Sequence, residues 1–180
     1  CICKAQDYNP FSKNLGWCLE ESAGLGSWVL AYKNNGDTLH NNLSYKKLIQ
    51  SETKTILIRE DSAQQKVWAI LPDSSSETLL YDFNLTVGNQ VTLNYATHPP
   101  SLYQVNVVDS ITTPLGIRKR IKLTTNDTNF VQNLVWIEGI GSTFGPVYLL
   151  DPTYSSSSQG GIGHCLICCY QAVGVQAYSG

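Results

Sequence analysis

From residue 27 to residue 178 the sequence is cut into short segments by turn-forming residues, and no segment repeats its apolar side chains at a helical spacing. A chain punctuated in this way must bury its apolar residues between sheets. Residues 79–86 carry the clearest signal. Leu79, Tyr81, Phe83 and Leu85 alternate with Leu80, Asp82, Asn84 and Thr86, the pattern of a half-buried strand. Residues 28–33 run into Asn34-Asn35-Gly36-Asp37, a hairpin signature. Strands over 43–50 and 53–59 follow, and Glu60-Asp61-Ser62-Ala63 turns into 66–71. Further strands are expected at 91–95, 102–111, 117–123, 130–138 and 147–150, with a closing hairpin of 165–171 and 175–178. The predicted fold is all-β, an antiparallel β-sandwich or partly open β-barrel.

Residues 1–26 differ. They hold Cys1, Cys3 and Cys18, the turn-former Asn9-Pro10 and three glycines, with little alternation. The stretch is too short for a core of its own, so it reads as an N-terminal extension to a single β-domain over 27–180. Charged residues are 14% of the chain, against about 25% in ordinary domains. The net charge of −2 implies no phosphate-binding stripe, and the one basic cluster, Arg118-Lys119-Arg120, lies inside a predicted strand; nucleic acid is not an expected partner. No apolar run reaches about 18 residues, so no membrane span is expected. The sequence lacks Met and begins with Cys1, which reads as a processed product after signal-peptide removal.

Four phrases recur at family-like spacing: Ile58-Arg59-Glu60-Asp61, Lys66-Val67-Trp68, residues 79–88, and Trp136-Ile137-Glu138-Gly139-Ile140-Gly141-Ser142. With the opening Gly36-Asp37-Thr38 and the closing Cys168-Cys169-Tyr170-Gln171, they resemble a β-rich domain of Bacteroidota secreted proteins. Members of that family usually carry a C-terminal sorting domain read by the type IX secretion system. The resemblance covers roughly residues 30–178 and implies an extracellular or outer-surface location, but no reaction. The cysteine-bearing start and the absence of a sorting domain after Gly180 depart from the family pattern; cleavage of that domain on export is the expected reason.

In such a compartment the six cysteines, Cys1, Cys3, Cys18, Cys165, Cys168 and Cys169, read as disulfide formers that tether the extension to the closing hairpin. Six cysteines allow 15 pairings, and the sequence does not choose among them. Zinc is the weaker reading: His164 with Cys165, Cys168 and Cys169 offers one half-site, and Cys1-x-Cys3 is too tight for a second. Lipidation of Cys1 would leave an odd five cysteines, so it is a secondary reading as well. No cofactor is implied.

Asp82 and Glu138 are the carboxylates to test for glycoside hydrolysis. Each sits in an apolar phrase, where an unpaired charge is expensive, so a buried ion pair with Arg59, or acceptance of turn backbone N–H groups, is the plainer expectation. His40, His98 and His164 adjoin turns, Gly-x-Ser-x-Gly is absent, and Gly139-Ile140-Gly141 lacks the helix a phosphate loop requires. No catalytic residue is assigned. Tyr8, Tyr95, Tyr103, Tyr154 and Tyr178 are candidates for stacking on sugars. Asp37-Thr38-Leu39, Asp61-Ser62-Ala63 and Asp109-Ser110-Ile111 resemble the O-glycosylation motif of Bacteroidota, which makes Thr38, Ser62 and Ser110 acceptor candidates. Asn42, Asn84 and Asn126 stand in Asn-x-Ser/Thr sequons, which a bacterial source would leave bare.

The expected function is a non-catalytic structural or adhesion module, secreted or on the cell surface. Its expected partners are copies of itself, joined by strand addition through the extension into a polymer, or other surface components. A carbohydrate-binding module is the alternative, and a hydrolase using Asp82 and Glu138 the third reading.

Overall fold

The computed structural model describes residues 8–13, 16–23, 26–51, 54–72, 74–94, 99–114, 116–128, 130–147, 163–172 and 175–179. Apart from a single 3-10 turn at Phe11–Lys13, all regular structure among them is strand.

The strands form two curled antiparallel sheets. The first six follow one another as a meander: β1 (Gly16–Ala23), β2 (Gly26–His40), β3 (Leu43–Ser51), β4 (Lys54–Asp61), β5 (Lys66–Ile70) and β6 (Thr78–Asp82). The closing hairpin, β12 (Gly163–Ala172) and β13 (Val175–Ser179), adds to the free side of β1. The larger sheet thus has eight strands in the order β13-β12-β1-β2-β3-β4-β5-β6. The smaller sheet comprises β7 (Gln90–Leu93), β8 (Ser101–Thr113), β9 (Gly116–Thr124), β10 (Asn133–Ile137) and β11 (Gly141–Ser142), in the order β11-β10-β9-β8-β7. Inward residues of both sheets share one core: Leu48, Ile56 and Val67 from the larger sheet, and Val105, Ile121, Leu123 and Leu134 from the smaller. The all-β antiparallel reading therefore holds. No disulfide is present among the described residues, so the tether of the extension has no support from the structure.

Three local expectations are corrected. Asn34-Asn35-Gly36-Asp37 is no hairpin turn. β2 runs through it, with a register irregularity between Asn34 and Asp37 and Gly36 at φ 77°. The left-handed preference of the segment is satisfied by a bulge, with Gly36 N donating to Asn34 Oδ1 at 3.2 Å. The chain reverses instead at Asn41-Asn42, both at positive φ (50° and 62°), between the paired His40 and Leu43. That is a two-residue loop of the type that matches strand twist. Asn is the non-glycine residue that tolerates this conformation best.

The second correction concerns residues 79–86, whose alternation does not mark a strand throughout. β6 ends at Asp82, and Leu80, Tyr81, Asp82 and Phe83 are all buried. Asp82 Oδ1 accepts the Asn84 amide at 3.0 Å and Phe83 N donates to Gln65 O at 2.8 Å. These bonds turn the chain out of the sheet.

The third concerns the N-terminal stretch. Residues 16–23 are an interior strand, hydrogen-bonded to β2 on one side and to β12 on the other. Phe11, Trp17 and Leu19 lie in the shared core. Trp17 and Leu19 do alternate with Cys18 and Glu20, but over too few residues to stand out beside the glycines.

Candidate functional site

Three of the phrases that stand out in the sequence, through Glu60, Tyr81 and Glu138, meet residues 8–13 and 16–19. After Pro10 the 3-10 turn leaves its first backbone N–H groups without partners inside the turn. Glu60, at the end of β4, meets them: Phe11 N donates to Oε1 at 2.7 Å and Ser12 N to Oε2 at 2.9 Å. The Tyr8 hydroxyl donates a short bond to the same Oε1. Burial pushes the Tyr8 phenol far above its ordinary value, and the neighbouring Glu60 carboxylate adds to the effect. Tyr8 therefore stays a donor under all ordinary conditions.

A second carboxylate acts one residue away. Glu138, 5% exposed, accepts from Asn9 N at 2.6 Å and from Asn9 Nδ2 at 3.3 Å. Glu138 follows β10, and its own amide donates to Lys119 O at 2.9 Å. Two carboxylates, brought from β4 and from the loop after β10, thus hold one short stretch of backbone. Hydrogen bonds of this charged kind are among the stronger ones available to a protein. The cations Arg118 and Lys119 feel the Glu138 charge, while burial lowers the affinity of both for their protons. Lys119 Nζ donates to Phe83 O at 2.8 Å and Leu85 O at 3.0 Å, tying the chain beyond β6 to β9.

The glycines after Glu138 complete the seat. Gly139, Gly141 and Gly145 all have positive φ (71°, 106° and 114°). A Cβ on Gly139 would lie 2.6 Å from Asn9 O. One on Gly141 would lie 2.9 Å from Tyr81 Oη and 3.0 Å from Phe11, and one on Gly145 would run into the Leu19 side chain. Each glycine is needed twice over, for its backbone angle and for the N-terminal segment pressed against it.

Aromatic rings fill the rest. Phe11 stacks on Trp17 (4.9 Å between centroids) and Tyr81 stacks on Phe83 (5.4 Å), with Trp136 edge-on to Tyr81 at 5.3 Å. Trp17 Nε1 donates to Ile140 O at 2.8 Å. The Tyr81 hydroxyl donates to Pro146 O at 2.8 Å and accepts from Ser142 N at 3.0 Å.

The residues expected to carry chemistry are distributed as follows. Arg59 does not meet Asp82 or Glu138. It makes a paired contact with Glu77, Nε to Oε1 at 2.6 Å and Nη2 to Oε2 at 2.9 Å, and lies over the Trp68 ring at 4.3 Å. The Tyr45 hydroxyl donates to the same Glu77 at 2.7 Å. The bonds from Arg59 hold the Glu77 carboxyl below its ordinary value. Asp82 is paired with Lys66 at 3.4 Å. The third cation of the basic cluster, Arg120, grips Asp109 through two bonds of 2.7 and 2.6 Å.

Cys18 lies opposite Cys168 in the β1–β12 register, Cys169 opposite Trp17 and Cys165 opposite Glu20; Cys169 is buried. Cys1 and Cys3 fall outside the described residues. Among the described residues no group of three or more His, Cys, Asp or Glu could hold a metal ion, and no helix is long and apolar enough to cross a membrane. Thr38 lies within β2, Ser110 is exposed on β8, and Ser62 is exposed in the turn after β4. Tyr103 is fully buried, its hydroxyl on Val131 O at 2.9 Å. Tyr95 and Tyr154 fall outside the described residues, as does the side chain of Tyr178.

Glu60 escaped the sequence reading, although it stands in the Ile58-Arg59-Glu60-Asp61 phrase. Its role rests on holding the same segment as Glu138, which no local pattern reveals. No protein-family model matches the chain, and no curated protein or solved structure matches it.

Proposed function

We propose that the chain is a non-catalytic structural module of the Bacteroidota secreted type, working at the outer cell surface or beyond it by association between copies. The observation that carries this reading is the seat of residues 8–13 and 16–19. Glu60, Glu138 and Ile140 bind that segment from 48 to 129 positions away in sequence. A site built wholly by the rest of the chain accepts the same segment from a neighbour equally well, and exchange of an identical element is a low-cost route to assembly. β1 then becomes the strand a neighbour inserts between β2 and β12, as in strand complementation. Leu39 and Leu43, 75% and 45% exposed beside the Asn41-Asn42 turn, add an apolar tip to the surface available for adhesion.

Against hydrolysis stand the positions of its two candidates. Glu138 holds Asn9, and Asp82 holds Asn84 N and Lys66.

In an oxidising compartment the cysteines serve the same purpose. The Cys18–Cys168 register suits a cross-strand disulfide, because directly opposed strand residues lie within the Cα separation such a bond accepts. With exchanged segments the bond runs between copies. Ser62, exposed beside Asp61, is the glycosylation acceptor best placed for an enzyme.

Light scattering across a range of protein concentrations tests the association. Oligomers are expected that a synthetic peptide of residues 8–23 dissociates. A monodisperse monomer at every concentration, indifferent to the peptide, would overturn it.

A further inference from the structure

A shallow groove of about 380 Å³ lies where β7, β8 and β9 meet the turn after β9. Its lining includes Gln90, Leu102, Gln104, Thr124, Asn126 and Asp127. The strand register makes this lining a ladder. Gln90 is directly opposite Gln104, and Gln104 directly opposite Thr124, so three polar side chains stand side by side at steps of about 4.8 Å. That step is on the scale of one sugar ring. Gln90, Gln104 and Asn126 are exposed, and their side-chain amides make no hydrogen bond to other described residues. Thr124 Oγ1 accepts from Asn106 Nδ2 at 2.6 Å, which leaves its own hydroxyl proton to donate elsewhere.

From this arrangement we infer that the outer face of the smaller sheet binds a neutral oligosaccharide. Three amides supply paired donors and acceptors, the pattern that neighbouring ring hydroxyls satisfy. Leu102, 52% exposed, offers an apolar surface for the C–H face of a ring. Among the described residues of the lining Asp127 is the only charged group, which disfavours phosphorylated or sulfated ligands. One carboxylate is also too few for a calcium site. Tyr103, next to Leu102 in sequence, is buried on the opposite face, and no aromatic ring is among the described residues of the lining. Binding therefore falls in the millimolar range typical of a few hydrogen bonds on an open surface.

This site is separate from the seat of the N-terminal segment and stands whether or not copies associate. The test is an NMR titration of the intact chain with cellohexaose, laminarihexaose, maltohexaose and mannohexaose. Saturable shifts of the Gln90, Gln104 and Asn126 side-chain NH₂ signals are expected with at least one of the four. Q90A/Q104A should weaken that binding roughly ten-fold while the rest of the spectrum, and the oligomeric state, stay unchanged. Unmoved amide signals with all four sugars well above millimolar concentration would overturn the inference, as would equal affinity in the double variant.

Discussion

Gly139→Ala isolates the contribution of the N-terminal seat, because two separate costs can be told apart with a control. Both Gly139 (φ 71°) and Gly88 (φ 89°) occupy the left-handed region. An alanine there costs about 1–2 kcal/mol for its backbone angle, part of which is returned by a stiffer unfolded chain. At Gly88 nothing lies within 4 Å of the new Cβ, whereas at Gly139 it would sit 2.6 Å from Asn9 O. That oxygen belongs to the backbone and cannot swing aside.

Either the loop shifts, at about 1–3 kcal/mol for such overpacking, or Asn9 moves and its amide leaves Glu138. The second route forfeits a charged hydrogen bond worth about 1.5–3 kcal/mol. The cheaper route sets the outcome, so G139A should lose about 1–3 kcal/mol more than G88A. Urea unfolding followed by tryptophan fluorescence, at matched protein concentration, measures the difference. Hydrogen exchange at the Asn9 amide should accelerate in G139A alone. A gap below about 0.5 kcal/mol, the scatter of ordinary surface substitutions, would refute the claim that the glycine is needed to seat the segment.

Glu138→Gln and Glu60→Gln, which keep shape and remove charge, should each destabilise by about 1.5–3 kcal/mol in the same unfolding assay; neutrality of both would mean the carboxylates do not hold the segment. The Glu77 carboxyl is held below its ordinary value of 4.5 mainly by the bonds from Arg59. The stability it lends is therefore fully present above that pH and lost as the pH falls through the depressed folded value. The stability gap between the native chain and Glu77→Gln should accordingly be widest at neutral pH and shrink in acid, and a gap that grows in acid would contradict the assignment. Peptide mapping without reductant of chain recovered from an oxidising compartment should recover Cys18 joined to Cys168, and Cys18→Ser should abolish any ladder on a non-reducing gel. Recovery of Cys18 joined elsewhere would remove that pairing.

The sheet-forming character of the chain was legible because alternation and turn chemistry are local properties. β8 shows why: Ser101, Tyr103 and Val105 face inward and Leu102, Gln104 and Asn106 outward, a pattern that two or three residues suffice to display. Local reading misled where two structures satisfy the same preference. Asn34-Asn35-Gly36-Asp37 and Asn41-Asn42 both favour left-handed backbone, and only the pairing of β3 decides which becomes the turn. The phrase after Trp136 was conspicuous for its glycines and its carboxylate, yet their purpose lies in residues 8–13 and 16–19. Nothing in either segment names the other. Arg59 has acidic residues in similar phrases, whereas Glu77, its partner in space, sits at the end of a serine-rich loop that carries no pattern.

The pairing of β1 with β12 has a kinetic side. Gly16 is bonded opposite Tyr170 and Cys18 opposite Cys168, so the larger sheet cannot close before residues near both ends of the described chain have met. Contacts this distant in sequence must overcome a large loop entropy before they return any stability, and sheets that depend on them fold slowly. The β2–β6 meander and the β8–β9 hairpin, whose partners are neighbours in sequence, can form early. In the interval β1 has one side open, flanked by Trp17 and Leu19, which are buried only in the finished structure. The chain's most exchange-prone moment is thus the final step of its own folding, and the concentration of nascent chains at that step governs whether the edge is closed from within or by a neighbour.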